Sequence, residues 1–286
     1  MTAPRQTPDA ERPASLATAL RQLQARGLPR LEAQMLLLHA LGQSAQARAW
    51  LLTHEADLLP PPAAARLHAL AERRLAGEPV AYLIGQKHFY GLCLHVDARV
   101  LDPRPDTETL VDWALERLPP DAPARVLDLG AGSGAIALAI ARHRPQAHVL
   151  ATDASAGALA VARANAERLA LAVDWRRGDW WAPVAGEQFD LVVSNPPYIA
   201  DGDPHLPALA HEPRQALASG ADGLDDLRRI IAGAPAHLRP GGWLLLEHGW
   251  DQAAKVRALL AAAGLTQVQS RRDLNGIERC SGGRQV

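Results

Sequence analysis

Residues 194–198 read Ser-Asn-Pro-Pro-Tyr and follow the apolar run "FDLVV" at 189–193. A strand that runs into two prolines leaves its sheet as a stiff segment. Each proline lacks an N–H, and the residue before a proline is pushed out of helical space. The segment therefore offers acceptors and few donors. The Asn195 side-chain oxygen and the Pro196 carbonyl are two acceptors on one short path, which Pro197 stiffens, and Tyr198 adds an aromatic face. A planar –CONH2 or aromatic –NH2 group carries two donor hydrogens on one nitrogen. Accepting one hydrogen each, the two oxygens would fix that nitrogen and aim it at an electrophile, such as a methyl group on a positive sulfur. Alignment and approach to about 3–3.5 Å matter more for such a transfer than a strong base. Taken as structure alone, the same segment would end an edge strand on a buried Asn.

A second stretch, "DLGAGSGA" at 128–135, supplies a place for the donor of such a group. Gly130, Gly132 and Ala135 fit G-x-G-x-x-G/A, a pattern that also describes any tight strand-to-helix turn. Ala131 and Ser133 fill the loop. Gly132 and Gly134, separated by Ser133 alone, permit close approach of the backbone to a ligand. Asp153 ends the next strand, where a carboxylate can accept both hydroxyls of a ribose. NAD and S-adenosylmethionine both carry that ribose. Asp128 separates them: beside a pyrophosphate it is a like charge in a partly dry site, whereas beside an ammonium and a sulfonium it is attractive. These residues favour S-adenosylmethionine, with S-adenosylhomocysteine as product. The alternative for Asp128 is a helix cap. In "GDWW", Asp179 is placed to accept from the adenine amino group and Trp180 to stack on the ring; the alternative is a turn Asp and a core Trp.

These residues must be held by a framework. From residue 125 onward strands and helices alternate: "RVLDL", "GAIALAIARHR", "HVLATD", "SAGALAVARANAERLA", "VDWRRGD", "FDLVVSN", "DGLDDLRRIIAGAPAHL", "GGWLLLEHG", "DQAAKVRALLAAAG", then two closing strands, "TQVQSRRD" and "IERCSGG". Such alternation predicts an α/β fold, a mostly parallel sheet covered on both faces, with ligands beyond the carboxyl ends of its strands. Upstream, apolar and polar residues alternate around Gly91, which predicts a β-hairpin over 87–101. A helix is expected to start near Pro105. Residues 15–77 show leucines at helical spacing and read as four helices, the first capped by Ser15 and the last closed by Gly77.

The bulk properties narrow the partners. The chain has 286 residues, 48% of them hydrophobic, and a formal net charge of −1. That balance argues against a partner bound mainly through counterion release, such as bulk nucleic acid. Cys93 and Cys280 form no C-x-x-C, and a reduced cytosolic setting is the default. No apolar run approaches the ~18 residues of a membrane span, and "MTAPRQTPDAERP" at 1–13 reads as a frayed tail. His211 and His248 have no metal-ligand spacing and are read as structural. No H-E-x-x-H and no G-x-S-x-G occurs, and no metal is expected.

Together, "LDPRPDTETL", "VLDLGAGSGAIALAIA", "VSNPPYI", "HEPRQAL", "DGL" and "LLLEHGW" resemble the protein-(glutamine-N5) methyltransferases of the HemK/PrmC type over nearly the whole chain. The glycine loop is common among methyltransferases, and "NPPY" is shared with adenine-N6 enzymes. "PRPDTE" joined to "NPPY" is much more specific. The resemblance implies a Rossmann-like S-adenosylmethionine-dependent methyltransferase domain over 105–286, a β-hairpin linker over 85–104, and an N-terminal helical docking domain over 1–84. It implies transfer of methyl to the glutamine of the Gly-Gly-Gln loop in class-1 peptide chain release factors, by a cytoplasmic monomer without nucleic acid or membrane partners. Carried over by motif, Gly130 to Gly134, Asp153 and Trp180 hold the cofactor, Asn195 borders it, and Asn195 to Tyr198 take the glutamine. Arg104 and Glu108 are expected near the site. Asp102 departs from the aliphatic residue usual before "PRP". The rivals are a sister enzyme acting on a ribosomal protein, an adenine-N6 methyltransferase, and a binding protein that keeps a cofactor pocket without catalysis.

Overall fold

The computed structural model describes residues 14–286, so the tail expected over residues 1–13 lies outside the described residues. The chain divides into two compact units between Ile84 and Gly85.

The first unit contains α1 (Leu16–Ala25), α2 (Arg30–Ala40), α3 (Arg48–Thr53) and α4 (Pro61–Leu75), where the leucine spacing places helices. Ser15 caps α1, its Oγ accepting the Thr18 N–H at 3.2 Å. Pro61 sits in the first turn of α4, where its missing N–H would have had no helical partner. Leu16, Leu23, Leu36, Leu37 and Leu67 pack into one buried core, each contributing about 1.5–3 kcal/mol of burial. The sequence does not announce α5 (Val80–Ile84), whose β-branched and aromatic residues are poor helix formers. Burial of Leu83 and Ile84 in the same core decides its conformation.

The second unit opens with the hairpin β1 (Gln86–Phe89) and β2 (Leu92–His95). Its two-residue turn, Tyr90-Gly91, has positive φ at both positions, 47° and 74°, which matches the twist of the flanking strands. Pro105–Thr107 form a 3-10 turn, and α6 (Glu108–Arg117) follows. The alternating elements are β3 (Arg125–Leu129), α7 (Ala135–His143), β4 (His148–Asp153), α8 (Ala156–Leu169), β5 (Asp174–Arg177), β6 (Phe189–Ser194), α9 (Asp225–His237), β7 (Leu238–Glu247), α10 (Ala253–Ala262), β8 (Thr266–Arg272) and β9 (Glu278–Arg284).

These strands form a seven-stranded sheet in the order β5-β4-β3-β6-β7-β9-β8. β5 through β7 run parallel, and β9 is antiparallel to both neighbours. Val126, Leu127 and Leu129 of β3 are wholly buried, as expected of a strand covered on both faces. β7 begins at Leu238, earlier than the expected Gly241, and a register shift against β6 between Phe189 and Leu191 absorbs the extra residues. β3 has β4 on one side and β6 on the other, so the strand order reverses there, and ligands collect at such a point. Among the described residues no helix is long and apolar enough to cross a membrane.

Candidate active site

The sheet register places the chemistry in one rank. Leu129 of β3 pairs with Thr152 of β4 and with Ser194 of β6, and Ser194 pairs with Leu246 of β7. One residue further along each strand stand Asp153, Gly130, Asn195 and Glu247. Neighbouring strands lie about 4.8 Å apart, so residues distant in sequence become adjacent at the carboxyl edge. Three members of the rank were expected from the sequence; Glu247 was not, because only the β6–β7 register reveals it.

Beside this rank is a cavity of about 250 Å³. Gly130, Ala131, Gly132, Ser133 and Asp153 line it on one side. Asp179, Trp180, Asn195 and Pro197 line it elsewhere. The loop is tied down by backbone bonds, with the Gly130 and Ala131 N–H groups both donating to the Thr152 carbonyl at 2.9 Å. Asp153 accepts the Gly132 N–H on Oδ2 at 2.9 Å and the Ser155 N–H on Oδ1 at 2.8 Å. Burial pushes its carboxyl up, and the two N–H bonds oppose this. Each of its oxygens keeps a lone pair for a further donor.

The wall fits an adenosyl cofactor. A Cβ on Gly132 would meet no protein atom within 4 Å and would project from the cavity wall, and φ there is +55°. The missing side chain is thus room left for a ligand. Trp180 holds φ 42°, a conformation that costs a non-glycine residue about 1–3 kcal/mol. Two contacts fix it: Nε1 donates to Asp226 Oδ1 at 3.1 Å, and the ring edge lies 3.4 Å from the Cβ position of Gly130. Asp179 pairs through Oδ2 with Arg229. Asp226 and Arg229, at the start of α9, also line the cavity and carried no sequence signal. Nor did Asn165, which is fully buried on α8. Its Oδ1 accepts the His95 N–H at 2.7 Å, and its Nδ2 donates to the carbonyls of His95 (2.9 Å) and Ser133 (3.0 Å). It clamps the glycine loop to β2.

Asp128 is a correction. It is wholly buried and absent from the cavity wall. Its Oδ2 accepts the Ala137 N–H at 3.1 Å in the first turn of α7, which is the capping alternative. Desolvation pushes its carboxyl up to about 7, with the Ala137 bond opposing and the Asp153 charge adding. Its position inside β3, rather than in the loop, sets that direction. Gly134 likewise stays off the cavity wall and serves as the left-handed N-cap of α7 at φ 83°.

The proline segment is held by the other motifs. After Tyr198 the chain pairs with residues 217–220: Ile199 N–H donates to the Leu217 carbonyl, Ser219 N–H to that of Ile199, and Asp201 N–H to that of Gly220, all at 2.9 Å. Gln252 Nε2 donates to the Tyr198 carbonyl at 2.9 Å. Gly223 (φ +73°) passes so close that a Cβ there would overlap the same carbonyl. The "HEPRQAL" and "DGL" stretches therefore brace "NPPY", and Pro213, Gln215 and Ala216 of the first also line the cavity. Asn195 Nδ2 donates to Thr107 Oγ1 at 3.2 Å. Pro196 is buried and, with Tyr198, stands off the cavity wall, whereas Pro197 reaches it. Among the described residues no backbone N–H donates to the Pro196 carbonyl. Tyr198 O–H donates to Glu247 Oε1 at 3.3 Å, and burial with that neighbouring carboxyl pushes the phenol up. Glu247 is 1% exposed; burial pushes it up to about 7, with the neighbouring Thr107 and the Tyr198 hydrogen bond opposing.

Of the acids and bases in "PRPDTE", the expected pair does not line the cavity. Glu108 Oε1 accepts the Tyr90 N–H at 2.8 Å and braces the hairpin turn. Arg104 pairs with Glu212 of "HEPRQ" at 2.5 Å. Asp102, the departure from the usual aliphatic residue, is buried between Lys87 (3.0 Å) and Arg104 (3.6 Å), and its N–H donates to Glu212 Oε2 at 3.2 Å. It extends this ionic cluster. Pro103 and Thr107 are the residues of the motif that reach the cavity. His248 is fully buried, bonded to Ser281 Oγ and the Gly249 carbonyl, and is structural as expected.

Comparison with known proteins places these features in context. The family described as Methyltransferase small domain matches residues 107–264, and the PrmC N-terminal domain family matches residues 14–85. A release factor glutamine methyltransferase of Bordetella pertussis is 56% identical over 260 residues, 90% of this chain and 95% of that one. Its Escherichia coli namesake is 43% identical over 272 residues, 94% of this chain and 97% of that one. Among solved structures, a Thermus thermophilus 16S rRNA methyltransferase, RsmC, in complex with AdoMet and guanosine, has TM-score 0.54 at 23% identity, covering 70% of this chain and 50% of that one. A Pyrococcus furiosus methyltransferase has TM-score 0.54 at 18% identity, covering 75% and 96%. These two share the Rossmann-like methyltransferase fold.

Proposed function

The chain belongs to the release factor glutamine methyltransferases, and on that premise we propose how its own residues carry out the reaction. It transfers a methyl group from S-adenosylmethionine to a release factor glutamine. The cofactor supplies an activated methyl on a positively charged sulfur. The loop of Gly130 to Ser133 lets the backbone approach the cofactor closely. Asp153, its two backbone bonds already made, accepts the ribose hydroxyls, while Trp180 and Asp179 border the adenine.

The Asn195 Oδ1 and the Pro196 carbonyl each accept one hydrogen of the glutamine amide, the glutamine of the Gly-Gly-Gln motif of a class-1 release factor. Held at two points, the nitrogen faces the methyl, and Tyr198 supports the segment from behind through Glu247. The methyl–sulfur bond breaks as the nitrogen–methyl bond forms, and one of the two amide protons leaves to water after transfer. The helical unit ending at Ile84 docks the release factor, and the enzyme acts as a cytoplasmic monomer without nucleic acid. One observation supports this reading above the rest: the register that sets Asn195 beside Gly130 at the carboxyl edge. The test is methylation with labelled cofactor of a purified release factor, its Gln→Ala variant, a ribosomal protein and DNA. Label in the first alone is expected, and equal label in the Gln→Ala variant would refute the assignment.

A further inference from the structure

Trp180 holds a backbone conformation that an L residue adopts only at a cost. A relaxed backbone there would aim the ring elsewhere, so the adenine face depends on whatever holds that ring. Both residues that border the adenine are held by one element. Asp226 and Arg229 stand three residues apart near the start of α9, on one face of the helix. Arg229 pairs with Asp179 Oδ2, and Asp226 Oδ1 accepts the Trp180 Nε1–H at 3.1 Å. That bond uses the only polar hydrogen of the indole, so Trp180 has its ring face alone to offer a ligand.

Asp226 is itself fixed. Ser219 Oγ donates to Asp226 Oδ2 at 2.8 Å and accepts the Asp226 N–H at 2.8 Å. The second bond satisfies one of the amide groups that the first turn of a helix leaves without a partner. Together the two bonds set the carboxylate in one orientation, Oδ2 to Ser219 and Oδ1 to Trp180. Ser219 is 3% exposed and is not part of the cavity wall. Its own N–H donates at 2.9 Å to the carbonyl of Ile199, the residue after Tyr198. A line of hydrogen bonds thus runs from the end of the proline segment to the indole. A polar network whose members are all paired makes rigid what it joins.

We propose that Ser219 and Asp226 are positioning residues for the adenine: Ser219 orients the Asp226 carboxylate, which holds the Trp180 indole against the cofactor. The proposal rests on the reading of Trp180 as the adenine platform. Its consequence is that a residue outside the cavity controls cofactor affinity. The adenine face and the segment that takes the glutamine are built on one frame, joined at Ser219.

The test is a pair of double-mutant cycles in the full-length enzyme, read as the Kd of S-adenosylhomocysteine by titration calorimetry, with a thermal melt to confirm folding. Asp226→Ala is expected to raise the Kd about tenfold, the loss of one hydrogen bond to a charged acceptor. Ser219→Ala, at a position off the cavity wall, is expected to raise it about threefold or more. Asp226→Asn keeps an oxygen for Trp180 when its amino group turns to Ser219, and is expected to stay within about threefold of wild type. Trp180→Phe keeps a ring and removes the donor. In that background Asp226→Ala and Ser219→Ala are each expected to add less than about twofold, since the bond through which they act is already gone. A merely structural effect, or a direct contact of Asp226 with the ligand, persists at full size in the Trp180→Phe background and overturns the proposal. An unchanged Kd in folded Asp226→Ala protein overturns it as well. Should Asp226→Ala fail to fold, the Ser219→Ala cycle decides alone. If Trp180→Ala binds S-adenosylhomocysteine as tightly as wild type, the reading of the adenine platform fails instead, and the two failures are distinct.

Discussion

Replacing Asp153 removes the residue on which the cofactor reading most depends. Its carboxylate makes two hydrogen bonds within the protein, to the N–H groups of Gly132 (2.9 Å) and Ser155 (2.8 Å), and remains able to accept from a ligand. Hydrogen bonds to a charged acceptor contribute about 1.5–3 kcal/mol, so Asp153→Ala is expected to raise the cofactor Kd by about tenfold to about 150-fold. Two features sharpen the test. The ribose is common to S-adenosylmethionine and S-adenosylhomocysteine, so both are expected to weaken equally. Asp153→Asn keeps one acceptor oxygen but sets an amino group against one of the two backbone donors, and is expected to fall between wild type and Asp153→Ala. Titration calorimetry with both ligands reads the effect, and a thermal melt separates it from general unfolding. An unchanged Kd in a folded Asp153→Ala protein would refute the reasoning, as would a loss confined to one of the two ligands.

Gly223→Ala forces a Cβ onto the Tyr198 carbonyl at a position of φ +73°. It is expected to cost about 1–3 kcal/mol by urea denaturation and to lower kcat strongly while cofactor affinity holds. Asp128 has its folded-state carboxyl raised from 3.8 to about 7, so the folded protein holds that proton more tightly than the unfolded chain. The stability so gained is full below about pH 4 and is lost as pH rises through about 7. Asp128→Asn, which cannot lose the proton, is therefore expected to gain stability relative to wild type between about pH 5 and about pH 8, measured as urea midpoints at both. A difference independent of pH would contradict the burial argument. Deleting residues 1–84 is expected to cripple methylation of an intact release factor more than that of a short Gly-Gly-Gln peptide; equal losses would remove the docking role.

The parts legible in the sequence are those whose signals are local. A strand ending in two prolines, a glycine-rich turn and an acid closing the next strand are contiguous patterns, and Asn195, the loop glycines and Asp153 stand at one edge of the sheet. What the sequence hid depends on direction or on register. Asp128 lies one residue from the loop, but its side chain turns under α7 to Ala137, and no spacing rule distinguishes that from facing a ligand. Glu247 enters the site only because β7 pairs with β6, a pairing set about fifty residues apart in the chain. Thr107 was passed over for its charged neighbours, since a hydroxyl between Asp106 and Glu108 carries no charge pattern of its own. Arg104 and Glu108 have partners, Glu212 and Tyr90, that only the folded chain reveals. The motif stretches around Gly223 and Gln252 make sense as the grip on one carbonyl, that of Tyr198. The helix α5 shows the same limit in the first unit, where packing overrides a weak local preference.

The central claim is that Asn195 aims the substrate amide and does not hold the cofactor. Asn195→Ala tests it when cofactor Kd by calorimetry and single-turnover methylation of the release factor are measured on one preparation. Misplacing a reacting group by about 1 Å costs about a hundredfold, so transfer is expected to fall by at least about that factor while the Kd stays within about twofold of wild type, a change under about 0.5 kcal/mol. Loss of cofactor affinity in step with loss of transfer would contradict the account.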